Sequence, residues 1–124
     1  MDSFALLALA QEEQGSDRVD DLLAQSAKGE AEIYISLINL AEVQYTLIRR
    51  RAGSEVLAAL EDLPIIRASA DEFLPQVVQL KASYPVSLAD CFAAALAIEL
   101  DCPLITGDPE FRKLESVVKV EWLT

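Results

Sequence analysis

Four acidic residues stand where predicted helices begin, and they are the side chains best placed to do chemistry. They are Asp2, Glu42, Asp90 and Asp108. Glu42 and Asp108 each follow a predicted strand, so both should lie near the carboxyl edge of one sheet. Asp90 is the only charge in the apolar stretch 88–98. Carboxylates gathered within a few ångströms repel one another unless a cation lies between them, and an all-oxygen set favours Mg²⁺ or Mn²⁺.

Helix capping is the competing interpretation of the same residues. The segments 39–42 and 87–90 both match a capping box, with Asn or Ser at the N-cap and a carboxylate three residues later. Asp108 precedes Pro109, which is typical of an N-cap followed by proline, and Asp2 is a good cap for the first helix. Spacing alone favours capping for any single residue. Capping does not require repeated carboxylates at one edge, so their convergence favours a metal site.

The rest of the composition excludes several classes of catalytic site and metal site. Histidine is absent, which excludes Ser-His-Asp and Cys-His catalysis and every His-ligated metal site. Cys91 and Cys102 follow no metal or redox spacing and are typical of small core residues in a reducing cytoplasm. Ten basic residues against 21 acidic ones give a net charge of −11, which repels nucleic acid unless metal ions or a local basic patch intervene. Arg49, Arg50 and Arg51 form the one basic cluster, which is read equally well as a phosphate contact and as a solvated helix end.

The elements that must position these residues alternate between strand and helix. The 124 residues fit one domain, the apolar stretches are too short to cross a bilayer, and no basic region of a signal peptide begins the chain. The alternation predicts an α/β fold in which a parallel β-sheet is sandwiched by helices in three layers. Helices are predicted over residues 3–11, 17–27, 39–51, 54–62, 71–81 and 88–100 and from 108, and strands over 33–35, 64–66, 104–106 and 117–122.

Four segments in this order make the chain resemble the PIN domain family, and within it the toxin ribonucleases of VapBC toxin–antitoxin pairs. The segments are DSFALLAL at residues 2–9, ISLINLAEV at 35–43, SLADCFAAALA at 87–97 and LITGDPEF at 104–111. None is specific alone, but their order and the chain length match the family over nearly the whole chain. The resemblance implies a parallel sheet between helices and a ribonuclease that depends on Mg²⁺ or Mn²⁺ and leaves 5′-phosphate and 3′-hydroxyl ends.

The resemblance also implies the site and the partners. The implied catalytic and metal-binding residues are Asp2, Glu42, Asp90 and Asp108. The polar residues that would line or orient the pocket are Ser36, Asn39 and Thr106. The implied partners are an RNA substrate, a cognate antitoxin and a second copy of the chain, in the cytoplasm and without a membrane. The first two helices offer the apolar surface expected to meet a protein partner, with Phe4, Leu6, Leu7, Leu9, Leu22 and Leu23.

The N-terminus departs from the family pattern. The family places a short apolar strand at the centre of the sheet before its first Asp, whereas only Met1 precedes Asp2 here. A truncated or absent strand would leave backbone donors and acceptors unpaired, so an upstream extension is expected to add stability and activity.

Two other functions stay open at this point. One is a degenerate PIN domain that acts only as a partner-binding module. The other is a response-receiver module, which needs an acidic pair after the first strand and a lysine after the last. Asp2 stands alone, and Lys119 falls inside the predicted final strand, so the receiver module is the weaker alternative.

Overall fold

The computed structural model describes residues 1–69 and 71–123. Six α-helices of this part are α1 (Ser3–Ala10), α2 (Ser16–Ala27), α3 (Leu37–Arg49), α4 (Ser54–Glu61), α5 (Leu74–Ser83) and α6 (Leu88–Glu99). Its strands are β1 (Tyr34–Ser36), β2 (Ile66–Ala68), β3 (Leu104–Thr106) and β4 (Val120–Trp122). Short 3₁₀ turns cover Asp71–Phe73 and Pro109–Leu114. The predicted mixture of helices and parallel strands is therefore confirmed.

The described strands pair as two parallel couples rather than as one continuous sheet. Tyr34 of β1 lies opposite Ile66 of β2, and Leu104 of β3 lies opposite Val120 of β4. The first two residues of the chain connect the couples. The Met1 ammonium donates to the Tyr34 carbonyl over 2.7 Å, and the Asp2 N–H donates to the Ile105 carbonyl over 3.3 Å.

A mostly apolar groove of about 220 Å³ lies between β1 and β3, and we call it the interstrand groove. Met1, the end residues of the two strands and the α6 residues Leu96 and Ala97 are among those that line it. Burial lowers the pKa of the Met1 ammonium, because the groove offers the charge little water. The edges of β1 and β3 that face each other here are joined only through Met1 and Asp2 within the described residues.

Capping sets the start of the helices that carry the acidic residues. The Ser87 hydroxyl accepts from the Asp90 N–H over 3.1 Å, as the predicted capping box requires. The prediction that Asn39 caps α3 is wrong. Ser36 is the N-cap and accepts from the Asn39 N–H over 3.1 Å, so the cap lies three residues earlier, and the helix begins two residues earlier, than predicted. Ser36 has an extended backbone and a hydroxyl side chain, which an N-cap needs. Because it precedes Asn39 along the chain, it caps the helix first.

Other boundaries shift for local reasons. β2 begins at Ile66 and not at Pro64, because proline has no N–H to give to a ladder. β4 begins at Val120, three residues later than predicted, because the N–H groups of Val117 and Val118 both bond the Leu114 carbonyl and prolong the preceding turn. The remaining predicted helices lie within a few residues of the observed ones.

Two buried clusters form the core, one around α6 and one among α1, α2 and α3. Seven consecutive residues of α6, from Cys91 to Ala97, are buried, as its apolar sequence predicts. Leu6 and Leu23 also lie in the core, so they are not available as partner surface. Cys91 and Cys102 are free thiols. No helix in residues 1–69 or 71–123 is long and apolar enough to span a membrane.

Candidate functional site

An open cleft of about 470 Å³ lies where the N-terminal ends of α1 and α6 meet α3 and the turn after β3, and we call it the acidic cleft. Its lining includes Ser3, Glu42, Tyr45, Arg50, Asp90 and Asp108. Three of the four predicted site carboxylates therefore border one space. They reach it because two of them follow strands and the third opens α6, as the position of each in the sequence predicts.

The pKa of Asp90 is sensitive to the neighbouring charges of Asp108 and Glu42. It lies half-buried in the first turn of α6. Burial, together with the smaller effect of the charges of Asp108 and Glu42, raises the pKa of Asp90 to about 6, while hydrogen bonds from Ser87 oppose the shift. The three carboxylates thus share one electrostatic environment, in which a cation would relieve their repulsion.

Glu42 and Asp108 are held by hydrogen bonds to neighbouring elements. The Ser3 hydroxyl donates a short hydrogen bond to Oε1 of Glu42, which ties the start of α1 to α3. Oδ1 of Asp108 accepts from the Glu110 N–H over 3.0 Å and caps the 3₁₀ turn. Both side chains therefore cap or brace the fold while they border the cleft, so capping does not remove Asp108 from the cleft.

Asp2 occupies a different environment from the other three carboxylates. It is only 2% exposed and does not line the acidic cleft. Its Oδ1 accepts from the Ala5 N–H over 3.1 Å, and its Oδ2 accepts from the Thr106 hydroxyl over 2.6 Å. Burial raises the pKa of Asp2 to about 7, although these two hydrogen bonds favour its charged form. Asp108 contributes a smaller repulsion, so Asp2 lies near the cleft without opening onto it.

The predicted supporting residues Ser36, Asn39 and Thr106 are fully buried, and their hydrogen bonds position the segments that carry the carboxylates. The Ser36 hydroxyl donates a short bond to Oδ1 of Asn39, and Nδ2 of Asn39 donates to the Ala89 carbonyl over 3.0 Å. Asn39 thereby fixes the turn of α6 that carries Asp90. Thr106 accepts from the Asp108 N–H over 3.0 Å through the same hydroxyl that it gives to Asp2. These residues orient the site rather than line it.

The oxygen donors of the cleft fit one kind of metal ion better than others. Within residues 1–69 and 71–123, no three acidic or thiol side chains stand close enough together to form a ready-made metal cage. The four predicted ligands therefore do not surround a common point in this arrangement. Mg²⁺ does not need such a cage, because it keeps several waters and binds through one or two carboxylates together with substrate phosphates. Asp90, Asp108 and Glu42 supply oxygen only, which suits a hydrated Mg²⁺ or Mn²⁺ ion.

The basic cluster divides among three environments. The Arg50 guanidinium lines the acidic cleft and donates a short bond to Oε1 of Gln11. Arg49 lies over the ring of Tyr45, with 5.2 Å from its guanidinium carbon to the ring centroid. Arg51 follows the end of α3 with a left-handed backbone, at φ 58°. Of the three predicted RNA contacts, only Arg50 lines the cleft itself.

Tyr45 is a cleft residue outside the set of site residues predicted from the sequence. Aromatic residues near helices and strands are usually core, yet the Tyr45 side chain is 48% exposed and lines the cleft. A signal for this position exists in the sequence. Tyr45 follows Glu42 by three residues, and residues three apart on a helix share a face.

A model of the PIN domain family matches residues 1–117 of the chain. The matched range includes the acidic cleft and all four predicted site carboxylates. Comparison with curated proteins finds no significant match.

Proposed function

The chain belongs to the PIN domain family, and on this basis we propose that it is a metal-dependent ribonuclease that hydrolyses RNA phosphodiester bonds. PIN domains are generally metal-dependent nucleases. The observation that carries the proposal is that Asp90, Asp108 and Glu42 line one open cleft, where burial and the two neighbouring charges raise the pKa of Asp90 to about 6. Carboxylates brought together against their own repulsion are what a cation site requires.

Asp90 and Asp108 are the side chains that would hold the metal, and Glu42 would position it or its waters. A bound Mg²⁺ or Mn²⁺ ion supplies a water of lowered pKa and stabilises charge on the phosphate oxygens. The chain's own contribution is to keep these carboxylates in place. Asn39 fixes the first turn of α6, Thr106 holds the backbone of Asp108, and Ser3 orients Glu42.

Asp2 is a positioning residue in this proposal, whereas the resemblance implies that it is a metal ligand. Both of its oxygens accept hydrogen bonds from within the protein, one from the start of α1 and one from the end of β3. It therefore stabilises the junction from which Ser3 and Asp108 reach the acidic cleft.

The negative charge of the chain makes the cation important for substrate binding as well. A net charge of −11 opposes RNA, and a metal ion converts an acidic cleft into a phosphate site. Arg50 adds a fixed positive charge to the lining of the same cleft. A phosphate is a better partner for this guanidinium than the Gln11 amide oxygen that now accepts from it.

We further propose that the chain is the toxin of a toxin–antitoxin pair, acting in the cytoplasm and able to form a homodimer. The support is the family resemblance together with an apolar surface. A small groove between α1 and α4 is lined by apolar residues that include Leu9, Ala10, Val56 and Leu63. An apolar helix of an antitoxin is the kind of partner that such a groove accommodates.

A partner-binding module without catalysis is the second candidate function. Two observations favour it. No ready-made metal cage exists among the described residues, and the buried carboxylate of Asp2 is already satisfied by protein donors. In that case the acidic cleft would be a remnant, and metal ions would have no effect on RNA.

Cleavage of end-labelled RNA separates the two functions. The wild-type chain is incubated with a single-stranded and a hairpin RNA in Mn²⁺, in Mg²⁺ and in EDTA. We expect cleavage that requires the metal and leaves 5′-phosphate and 3′-hydroxyl ends. Asp90→Asn should lower the rate by at least about 100-fold, since a lost metal ligand removes several kcal/mol of transition-state stabilisation.

The matched control is Asp101→Asn, which removes one charge from an exposed turn outside the cleft. Asn tolerates the left-handed backbone of that position, at φ 49°. This variant should cleave at the wild-type rate. Absence of metal-dependent cleavage by the wild-type chain would leave the partner-binding module as the better function.

A further inference from the structure

We propose that Tyr45 is the residue that stacks on an unpaired base of the RNA beside the phosphate bound in the acidic cleft. This inference rests on the proposed ribonuclease function and adds to it a specificity residue. It follows from the exposure of the ring, from its contact with Arg49 and from its place on α3 between Glu42 and Arg50.

The exposure of Tyr45 sets it apart from the other aromatic residues. Its side chain is 48% exposed, whereas the other aromatic side chains of residues 1–69 and 71–123 are buried or half-buried. Placing a large ring at the edge of a polar cleft leaves apolar area in water, which costs free energy unless a ligand covers it. A nucleobase covers such a ring without needing any particular sequence, because every base has a π face.

Arg49 packs against the ring of Tyr45. Its guanidinium carbon lies 5.2 Å from the centroid of the Tyr45 ring, within the range of a cation–π contact. This contact restrains the ring and adds a positive charge next to it. A base that stacks on the ring brings its own phosphate with it, and the charge of Arg49 favours that phosphate.

The position of Tyr45 between Glu42 and Arg50 along the chain suits a residue that stacks on a base. Glu42, Tyr45 and Arg50 all line the acidic cleft. At about 1.5 Å per residue, Tyr45 stands roughly 4.5 Å along the helix axis from Glu42 and roughly 7.5 Å before Arg50. A carboxylate that positions the metal is thus followed along one helix by a ring for a base and a guanidinium for a phosphate. That order suits a single strand with unstacked bases and excludes a paired duplex, whose bases are not free to leave their stack.

Binding of a fluorescent oligonucleotide tests the contact directly. The chain keeps Asp90, Ca²⁺ replaces Mg²⁺ so that the RNA is bound but not cut, and the probe is a short single-stranded RNA with one 2-aminopurine. Stacking on Tyr45 should quench the fluorescence. Tyr45→Leu keeps an apolar side chain but removes the π face, so it should abolish the quenching and weaken binding by about tenfold. Tyr45→Phe should retain both.

Ile48→Ala provides the matched control. Ile48 is an apolar residue of the same helix, 61% exposed, and it does not line the acidic cleft. Its truncation should leave quenching and affinity unchanged. In Mg²⁺, Tyr45→Leu should raise KM for single-stranded RNA while kcat changes little, because stacking positions the substrate and does not touch the reacting atoms.

The outcomes distinguish this inference from the proposed function. Metal-dependent cleavage by the wild-type chain, with unchanged quenching and KM in Tyr45→Leu, would overturn the stacking role alone. A chain that neither cleaves RNA nor binds the probe would overturn both. Loss of self-association in Tyr45→Leu with intact RNA binding would show that the ring serves a protein interface, and the stacking role would again be wrong.

Discussion

The Thr106 hydroxyl donates a hydrogen bond to Oδ2 of Asp2 over 2.6 Å. The hydroxyl oxygen of Thr106 also accepts a hydrogen bond from the Asp108 N–H over 3.0 Å. One buried side chain at the end of β3 therefore joins the beginning of the chain to the turn that places Asp108 at the acidic cleft. Thr106 is fully buried, so neither bond has water as a substitute.

Thr106→Val should destabilise the protein and disturb the cleft together. It preserves the shape of the side chain but leaves Oδ2 of Asp2 and the Asp108 N–H without their partner. Unsatisfied groups of this kind cost about 1–3 kcal/mol each. Urea unfolding should show this loss, and Mn²⁺-dependent cleavage should fall because Asp108 is less well held. Thr106→Ser keeps the hydroxyl and should lose much less stability and activity. Equal losses in both variants would show that the methyl group, and not the hydrogen bonds, stabilises the protein.

Asp90 should make both activity and stability depend on pH near its raised pKa of about 6. Its charged form is needed to hold a metal, so cleavage should increase as pH rises through this value. Stability without metal should change in the opposite direction. Below the unfolded value of 3.8 the carboxyl is neutral in both states, and between 3.8 and about 6 the folded state holds the extra proton. Rising pH therefore removes stability across that window.

Melting curves in EDTA from pH 4 to pH 8 test this dependence. Asp90→Asn, which stays neutral, should melt at a higher temperature than wild type at pH 8 and at nearly the same temperature at pH 4. Asp2 contributes a second decrease of the same sign, because burial raises its pKa to about 7. The decrease in stability that Asp2 causes as pH rises should persist in the Asp90→Asn variant. A pH dependence identical in the two proteins would contradict the raised pKa of Asp90.

Mg²⁺ or Mn²⁺ should raise the melting temperature of the wild-type chain at neutral pH. The ion binds only the folded arrangement and relieves the repulsion among Asp90, Asp108 and Glu42. At a concentration of about 100 times Kd the gain is about 2.7 kcal/mol, which corresponds to roughly 10 °C for a chain of this size. Asp90→Asn should gain less, and Asp101→Asn should gain as much as wild type. Equal gains in all three proteins would place the ion elsewhere.

Local signals in the sequence predict the elements that carry the site, and long-range contacts decide its details. Ser87 predicts the start of α6, and the apolar segment 104–106, which includes the β-branched Ile105 and Thr106, predicts β3, because capping and strand propensity act over a few residues. The cap of α3 is ambiguous locally, since Ser36 and Asn39 both qualify. The orientation of Asp2 depends on Thr106, which is 104 residues away, so no local pattern contains it.

The spacing from Glu42 indicates the helix face of Tyr45, but neither the exposure of its ring nor the split of the strands into two pairs follows from local sequence. Both depend on which surfaces are left after α1, α3 and α6 have packed together. Convergence of carboxylates at strand ends was a better guide, because parallel strands meet at a common edge. Glu42 and Asp108, which follow β1 and β3, border the acidic cleft for that reason, and Asp90 joins them from the first turn of α6.

The interstrand groove leads to the last prediction. Met1 lies in its lining, with its ammonium bonded to the Tyr34 carbonyl over 2.7 Å. Burial of this charge lowers its pKa, so the ammonium is held there at a cost. The facing edges of β1 and β3 also carry backbone groups that a strand between them would satisfy. An extended segment joined to the Met1 nitrogen would replace the buried charge by an amide and pair with both edges.

Adding four β-branched residues in front of Met1 should therefore raise the melting temperature, and adding four Gly and Ser residues should not. The apolar side chains would cover the lining of the groove, which includes Leu96, Ala97 and Leu104. Strand-forming residues also lose less entropy than glycine when they become extended. Because Met1 leads directly into Asp2, the more stable form should also cleave RNA faster in Mn²⁺. Equal melting temperatures for the two extended chains would mean that the groove does not accept a strand.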